Sequence, residues 1–517
     1  MPRSREEITK RLLALEERVL RGDERAIAKQ HAEGKLTARE RIERLLDPDS
    51  FVEEFMLAET QCREFGMAER RQPTDGVVTG HGRIDGRPVY VFAQDRTVLA
   101  GAVGSVHAEK ISYAIDTAAR LGVPVIGLFD SVGARTPEGL DVTKAIGKIF
   151  FSNTQASGVI PQISAIMGPC IGVASYSPAL TDIILMVRGT SQMFITGPPV
   201  IKEVLGEEVT MEELGGAKVH SEVSGVADLV AKSDEECLGQ IRRLLGFLPA
   251  SFREGPPRAE PGDDPDRLVE DLDQVVPEDM RKPYSMLEVI ARLVDRGEFL
   301  ELKPRFARNL VIGLARMDGR PLGIVANQPM FLGGSLDADC SDKAARFIRF
   351  CDAFNLPILT LVDVPGFFPG TRQEKMGIIR HGAKMLYAYS ESTVPKITVV
   401  LRKGYGGAKQ AMCTRETGAD QVFVWPGVEL AVMGAGGAVN VLYRKEIEAA
   451  PDPDTVRQQK IEEYEERFTG PFDAISKQYA QAAILPAQTR RRVIRALRVL
   501  ETKQQDRPAK KHGLMPV

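Results

Sequence analysis

The chain has 517 residues, 43% hydrophobic and 27% charged, with 68 basic against 71 acidic side chains for a net charge of −3. That length predicts several globular units, each with its own core, and so small a net charge excludes a global field that would draw in nucleic acid or a membrane surface. No run of about 18 apolar residues occurs, so no membrane span is expected, and six scattered cysteines without a C-x-x-C pair argue against a zinc ribbon or a disulfide framework and for a reducing cytoplasm.

Residues 1–12 are charged and lack the apolar stretch of a secretory signal. Residues 1–60 read as an amphipathic helical lead-in, with a Leu and Ile period in ITKRLLALEERVL, expected to pack on the first half or on a partner subunit. From residue 61 an internal repeat organises the chain. Asp85-Gly86-Arg87-Pro88 recurs as Asp318-Gly319-Arg320-Pro321, and each copy leads into an apolar strand, VYVFAQD or LGIVANQ. A helical pattern follows in both (SVHAEKISYAIDTAARLG and SDKAARFIRFCDAFN), then a buried-strand pattern (VPVIGLFDS and LPILTLVDV). The interval from Asp85 to Asp130 is 45 residues, as is that from Asp318 to Asp363. Further on, VIPQISAIMGPCIGVASY parallels TVPKITVVLRKGYGGAKQA, and MFITGPPVIKEVL parallels LAVMGAGGAVNVL.

Strands alternating with helices, twice over, predict two α/β domains, 61–250 and 285–517. Residues 251–284, rich in Pro and charge, read as the linker between them. Residues 455–506 read as charged helix, and the basic tail around Arg507, Lys510, Lys511 and His512 as a solvated terminus.

Phosphate loops, H-E-x-x-H and G-x-S-x-G are all missing. His107 and His381 fall on helical patterns and read as structural, and Asp130 and Asp363, at strand ends, read as caps for the following turn. What the sequence offers is glycine at strand-to-helix junctions: Ser131-Val132-Gly133, Gly172-Val173-Ala174, Gly406-Gly407-Ala408 and Gly434-Ala435-Gly436-Gly437. Such turns let a ligand approach the backbone, and the N–H groups that open a helix are unpaired and suit an anion. Their recurrence in both halves points to two oxyanion sites.

On these residues the sequence resembles the β (carboxyltransferase) subunits of biotin-dependent acyl-CoA carboxylases, a family that includes propionyl-CoA carboxylase and the central subunit of methylmalonyl-CoA transcarboxylase. The resemblance runs through GVIPQISAIMGPCIGVASYSPALTDIILMV and ELGGAKVHSEVSGVA in the first half. It continues in RFIRFCDAFNLPILTLVDVPGFFPGTRQE, IIRHGAKMLYAY and WPGVELAVMGAGGAVNV, and ends in TKQQDRPAKKHGLMPV. It implies two tandem ClpP/crotonase-like domains and a hexamer of paired subunits. It also implies transfer of a carboxyl group between carboxybiotin on a separate carrier and the α-carbon of a short acyl-CoA, with no metal. The acyl-CoA-side donors fall on Gly172 and Val173, lined by Val132, Gly133, Ala134, Ile171 and Gln410. The biotin-side donors fall on Gly407 and Ala408, beside Gly406, Lys375, Met376 and Gly377. No A/V-M-K-M biotin-attachment motif and no ATP-binding loop is visible, so biotin carrier and biotin carboxylase would be separate chains.

The chain departs from the family pattern where D-S-G-G-A-R has Val132, G-P-C-A-G-G-A has Ile171 and Val173, and F-G-G-S reads Leu99-Ala100-Gly101-Ala102. An aromatic-Gly-Gly reads Lys375-Met376-Gly377, the position after the second amide pair is Lys409, and a pair of acids is Gln481 and Ala482. Valine is strained at such positions only if the backbone needs a positive φ; otherwise Val132, Ile171 and Val173 narrow the acyl pocket. Two other readings stand beside carboxyl transfer: decarboxylation of a malonyl-type thioester or β-carboxylated acid without biotin, and a non-catalytic assembly subunit.

Overall fold

The computed structural model describes residues 4–468 and 470–517; the start of the charged leading segment (1–3) and residue 469 of the charged helical stretch lie outside the described residues. The chain divides into two compact units, Met1–Glu254 and Gly255–Val517.

Each unit grows from a hairpin. Asp85-Gly86 takes φ values of +51° and +77°, and Asp318-Gly319 +56° and +71°, the left-handed pair that a two-residue turn between antiparallel strands requires. The N–H groups of each turn donate to one carboxylate from an earlier segment: Asp47 at 3.0 and 2.8 Å in the first unit, Asp295 at 3.1 and 2.8 Å in the second.

In the first unit, β1 (Val52–Glu54), β2 (Val77–Ile84), β3 (Arg87–Gln94), β4 (Val125–Ser131), β5 (Gln162–Ile171), β6 (Ile183–Val187), β7 (Gln192–Phe194) and β8 (Leu229–Ala231) form a sheet. Its order is β1-β2-β3-β4-β5-β6-β8, with β7 on β5. The second unit repeats the plan with β9 (Phe299–Leu302), β10 (Leu310–Met317), β11 (Arg320–Asn327), β12 (Ile358–Val364), β13 (Lys396–Tyr405), β14 (Gln421–Val424), β15 (Glu429–Ala431) and β16 (Ala482–Ala483). Here the order is β9-β10-β11-β12-β13-β14-β16, with β15 on β13. In both, the first three strands pair antiparallel and the rest parallel.

Every residue of β4 and of β12 is buried, as parallel strands covered on both faces must be. Val125 and Phe129 join a core with the helices Ser105–Leu121 and Leu140–Ala156. By the strand's alternation Ile126 and Leu128 face the other way, the side covered by Ala38–Leu45 and Asp234–Leu245.

The repeat is longer than its sequence signature. The helix Ala38–Leu45, read as lead-in, has its counterpart in Met286–Leu293: each precedes the carboxylate (Asp47 or Asp295) that holds the hairpin turn. Residues 255–284, read as linker, are packed into the second unit. Ala259 N–H donates to Gly319 at 2.9 Å, Val269 N–H to Ala487 at 2.9 Å, and Val269, Leu272, Val276 and Tyr284 are buried. Apolar residues spaced among prolines and charges carry no period, but they suffice to pin an extended strap. The basic tail likewise lies on the second unit, with Lys510 paired to Glu391 at 2.9 Å and Arg507 donating to the Ser392 carbonyl at 2.6 Å. Among the described residues no helix is long and apolar enough to cross a membrane.

Candidate functional site

The strand pairs that carry the glycine turns share one irregularity. β4 and β5 pair in register to Phe129 and Ile166, then resume at Ser131 and Cys170; β12 and β13 pair to Val362 and Val400, then resume at Val364 and Gly404. Two extra residues in β5 and β13 make a bulge, and a bulge re-aims the residues beyond it. Asp130 and Asp363 sit opposite the extra residues, fully buried. Their N–H groups donate to Gln94 Oε1 and Asn327 Oδ1, each at 3.2 Å. The role expected of them, capping the next turn, is only partly met. Asp363 Oδ1 accepts the Lys403 N–H at 3.2 Å, while both acids are held chiefly by buried cations: Asp130 by Arg41 (3.1 Å) and Lys35 (3.2 Å), Asp363 by Arg402 (2.9 Å).

Beyond the bulge the first unit brings together most of its sequence-predicted residues. Gly133 has φ +97°; a Cβ there would stand 2.8 Å from the Ile171 carbonyl, so glycine alone fits. Its carbonyl accepts the Val103 N–H at 2.8 Å, and Ala134 bridges to Val103. Ile171 ends β5 in extended backbone, and Gly172 (φ +71°) turns the chain into the short 3-10 turn Gly172–Ser175. Val132, Ile171 and Val173 all avoid positive φ; the left-handed positions, 133 and 172, keep their glycines. The bulky departures therefore add side chain without backbone strain, and Val132 and Val173 stand exposed at 42% and 37%. Ala100 is different: it holds φ +54°, where its counterpart in the second unit is Gly333 at +61°.

In the second unit Gly406 (φ +55°) ends β13 and opens the helix Gly406–Ala411, its Cβ position blocked at 2.9 Å by the Val432 carbonyl. Gly407 is exposed and Ala408 buried. The helix types explain which amides are open. A 3-10 turn bonds i to i+3 and leaves the N–H groups of its first two residues, Gly172 and Val173, without an internal acceptor; an α-turn leaves three, among them Gly407 and Ala408. Gln410 Oε1 accepts from the Thr414 hydroxyl at 2.6 Å, which commits that end of its amide. Lys375 and Met376 end the helix Thr371–Met376, and Gly377 (φ +84°) leads into Ile378–Glu391.

Three residues around the second turn carried no sequence signal of their own. The Phe367 ring lies between Gly382, whose Cβ position is 2.9 Å from it, and Gly407, at 4.0 Å. Glycines on both sides were the available clue. Tyr405 donates its hydroxyl to Glu429, and burial together with that carboxylate pushes its pKa far up. His107 is structural, as expected: its ring bonds the Asp75 carbonyl (3.0 Å) and Gln94 (3.3 Å), and burial holds its pKa well below the usual value. His381 pairs with Asp342 at 2.9 Å on the second unit. Among the described residues no cluster of three or more His, Cys, Asp or Glu could hold a metal ion.

Residues 29–515 match the family model described as "Carboxyl transferase domain". The chain is 54% identical over 502 residues to the propionyl-CoA carboxylase carboxyltransferase subunit of Haloferax mediterranei, covering 97% of each. It is 53% identical to the methylmalonyl-CoA decarboxylase subunit alpha of Veillonella parvula, covering 96% of each. A solved structure of transcarboxylase 12S, described as a hexamer assembly with methylmalonyl-coenzyme A and methylmalonic acid bound, superposes with a TM-score of 0.97 at 50% identity, covering 100% of this chain and 99% of that one.

Proposed function

The chain belongs to the carboxyl transferase family, and from that premise we propose that it is the subunit that moves a carboxyl group between biotin on a separate carrier chain and the α-carbon of a short acyl-CoA. The observation that carries this reading is the pair of equivalent turns, one per unit. In each, a parallel strand leaves a bulge, a left-handed glycine follows, and unpaired N–H groups open a helical turn.

The first turn is assigned to the thioester. The N–H groups of Gly172 and Val173 hold its oxygen as negative charge builds there on loss or gain of the carboxyl group, and a donor of this kind is worth about 3–4 kcal/mol. Val132, Ile171 and Val173 make that turn apolar and narrow, which suits a short acyl chain and keeps water away. The second turn is assigned to biotin. A Cβ at Gly407 would meet only Phe367, at 4.0 Å, so a flat ring has access to the amides of Gly407 and Ala408. When bound, biotin supplies the carboxyl group in one direction and accepts it in the other; the chain's residues position and stabilise charge. Hexameric assembly, as described for transcarboxylase 12S, and partnership with a biotin carrier and a biotin carboxylase complete the proposal.

A second reading, decarboxylation of a methylmalonyl-type thioester without biotin at this subunit, is favoured by the 53% identity to a decarboxylase subunit. One experiment separates them: purified protein with malonyl-CoA or methylmalonyl-CoA, with and without free biotin, followed by mass spectrometry for loss of CO2. Biotin-dependent loss is the expected result; loss without biotin supports the decarboxylase, and no loss with either thioester overturns both.

A further inference from the structure

Lys409 directly follows the amide pair of the second turn, and its surroundings are unusual for a lysine. Its stem folds back over the end of β13: the Cβ position of Gly404 lies 3.4 Å from both Lys409 Cγ and Cδ, so a side chain at 404 would displace it. The ammonium is half-buried and has no carboxylate within ion-pair distance among the described residues. It rests instead over the ring of Tyr479, 4.8 Å from the centroid, a geometry in which the ring's negative face offsets part of the lost hydration. Burial lowers its pKa, opposed by the charge of Glu416.

Tyr479 is itself fixed. Its N–H donates to Ala474 at 2.8 Å, and Arg415 holds the neighbouring Gln478 carbonyl. Two residues on, Gln481 accepts the Val422 N–H at 2.7 Å and donates to Asp420 at 3.1 Å, seating β16 on the sheet edge. The segment 478–483 thus holds the lysine's charge beside Gly407 and Ala408 without neutralising it. A cation in the first turn of a helix opposes the helix's own polarity, and an anion held on the neighbouring amides reverses that penalty.

We propose that Lys409 is a positioning residue for the second turn: held by the face of Tyr479, its positive charge strengthens the grip of the Gly407 and Ala408 amides on a bound anionic oxygen. This rests on the assignment of that turn to biotin. The test is steady-state carboxyl transfer from methylmalonyl-CoA to free biotin by the full-length protein and by Lys409→Met, Lys409→Arg, Tyr479→Phe and Tyr479→Leu. The expected result is a roughly tenfold loss of kcat in Lys409→Met with an unchanged KM for methylmalonyl-CoA. Lys409→Arg should stay within about threefold of wild type, Tyr479→Phe should equal it because the ring face survives, and Tyr479→Leu should follow Lys409→Met. Wild-type turnover in Lys409→Met overturns the inference, as does an Arg variant no better than the Met variant. Should Lys409→Met fail to fold, equal activity of Tyr479→Leu and Tyr479→Phe overturns it. Absence of biotin-dependent transfer in the wild-type protein would instead overturn the functional reading beneath it.

Discussion

Asp130 and Asp363 occupy the same bulge in the two units and are held in different ways. In the second unit the partners are local: β13 supplies Arg402, whose Nε donates to Asp363 at 2.9 Å, and Lys403, whose N–H donates to it at 3.2 Å. In the first unit the same two positions of β5 are Gly168 and Pro169. Proline has no N–H to give, and any side chain at 168 would overlap the Asp130 carboxylate. The cation comes instead from about 90 residues upstream, where Arg41 bonds Asp130 (3.1 Å), Asp234 (2.8 Å) and the Met167 carbonyl (3.1 Å), with Lys35 and Gln30 completing the shell. The bulge needs a buried, neutralised acid; which segment neutralises it is free to differ. That freedom ties the segment Gln30–Leu45 to the glycine turn it supports.

The comparison is broken most severely at Arg41. Arg41→Ala strands the buried carboxylates of Asp130 and Asp234 and should cost about 3–5 kcal/mol. Arg402→Ala, which leaves Asp363 the Lys403 N–H, should cost less. Urea unfolding of both variants checks the order, and equal losses would show that the shells are equivalent. Next comes a feature that the units share. Lys110 and Lys343 are buried and bonded to backbone carbonyls, Lys343 to four of them, and burial pushes both pKa values down to about 8 from 10.5. A lysine depressed in the folded state binds fewer protons there than in the unfolded chain, so each makes stability rise with pH between about 8 and 10.5, by at most roughly 1.4 kcal/mol per pH unit. Lys343→Met should remove one such contribution from the slope of the urea midpoint over that window; a variant that parallels wild type contradicts the assignment. The smallest effect is expected at Ala100. Ala100→Gly relieves a left-handed alanine but loosens the unfolded chain, for a net gain of roughly 0.5 kcal/mol, read as a small rise in Tm.

The sequence carried the hairpins, the central strands and both glycine turns plainly, because DGRP and the 45-residue interval to each strand-end Asp survive in both halves. It did not show that the repeat begins at Ala38 and Met286, since ARERIERL and MLEVIARL share only a helical apolar period. Arg41 looked like one surface charge among many in that helix; its burial depends on an acid 89 residues away. The strap 255–284 was hidden for the converse reason: its buried side chains follow no period. At the site, sequence located the open amides, but whether valine was strained could be settled only by backbone angles, which place the left-handed turn on Gly172 and spare Val173.

The measurement that tests the central claim most directly concerns that last contrast, for Val173 and Gly407 hold equivalent places in the two turns. Gly407 has an ordinary φ and open space around its Cβ position, so Gly407→Val should fold with an unchanged Tm and bind methylmalonyl-CoA as tightly as wild type. Biotin-dependent loss of CO2 should fall by about 100-fold, near 2.7 kcal/mol, because the new side chain covers the amides assigned to biotin. Retained biotin-dependent activity in a folded Gly407→Val protein would contradict the assignment of the two turns to two different substrates.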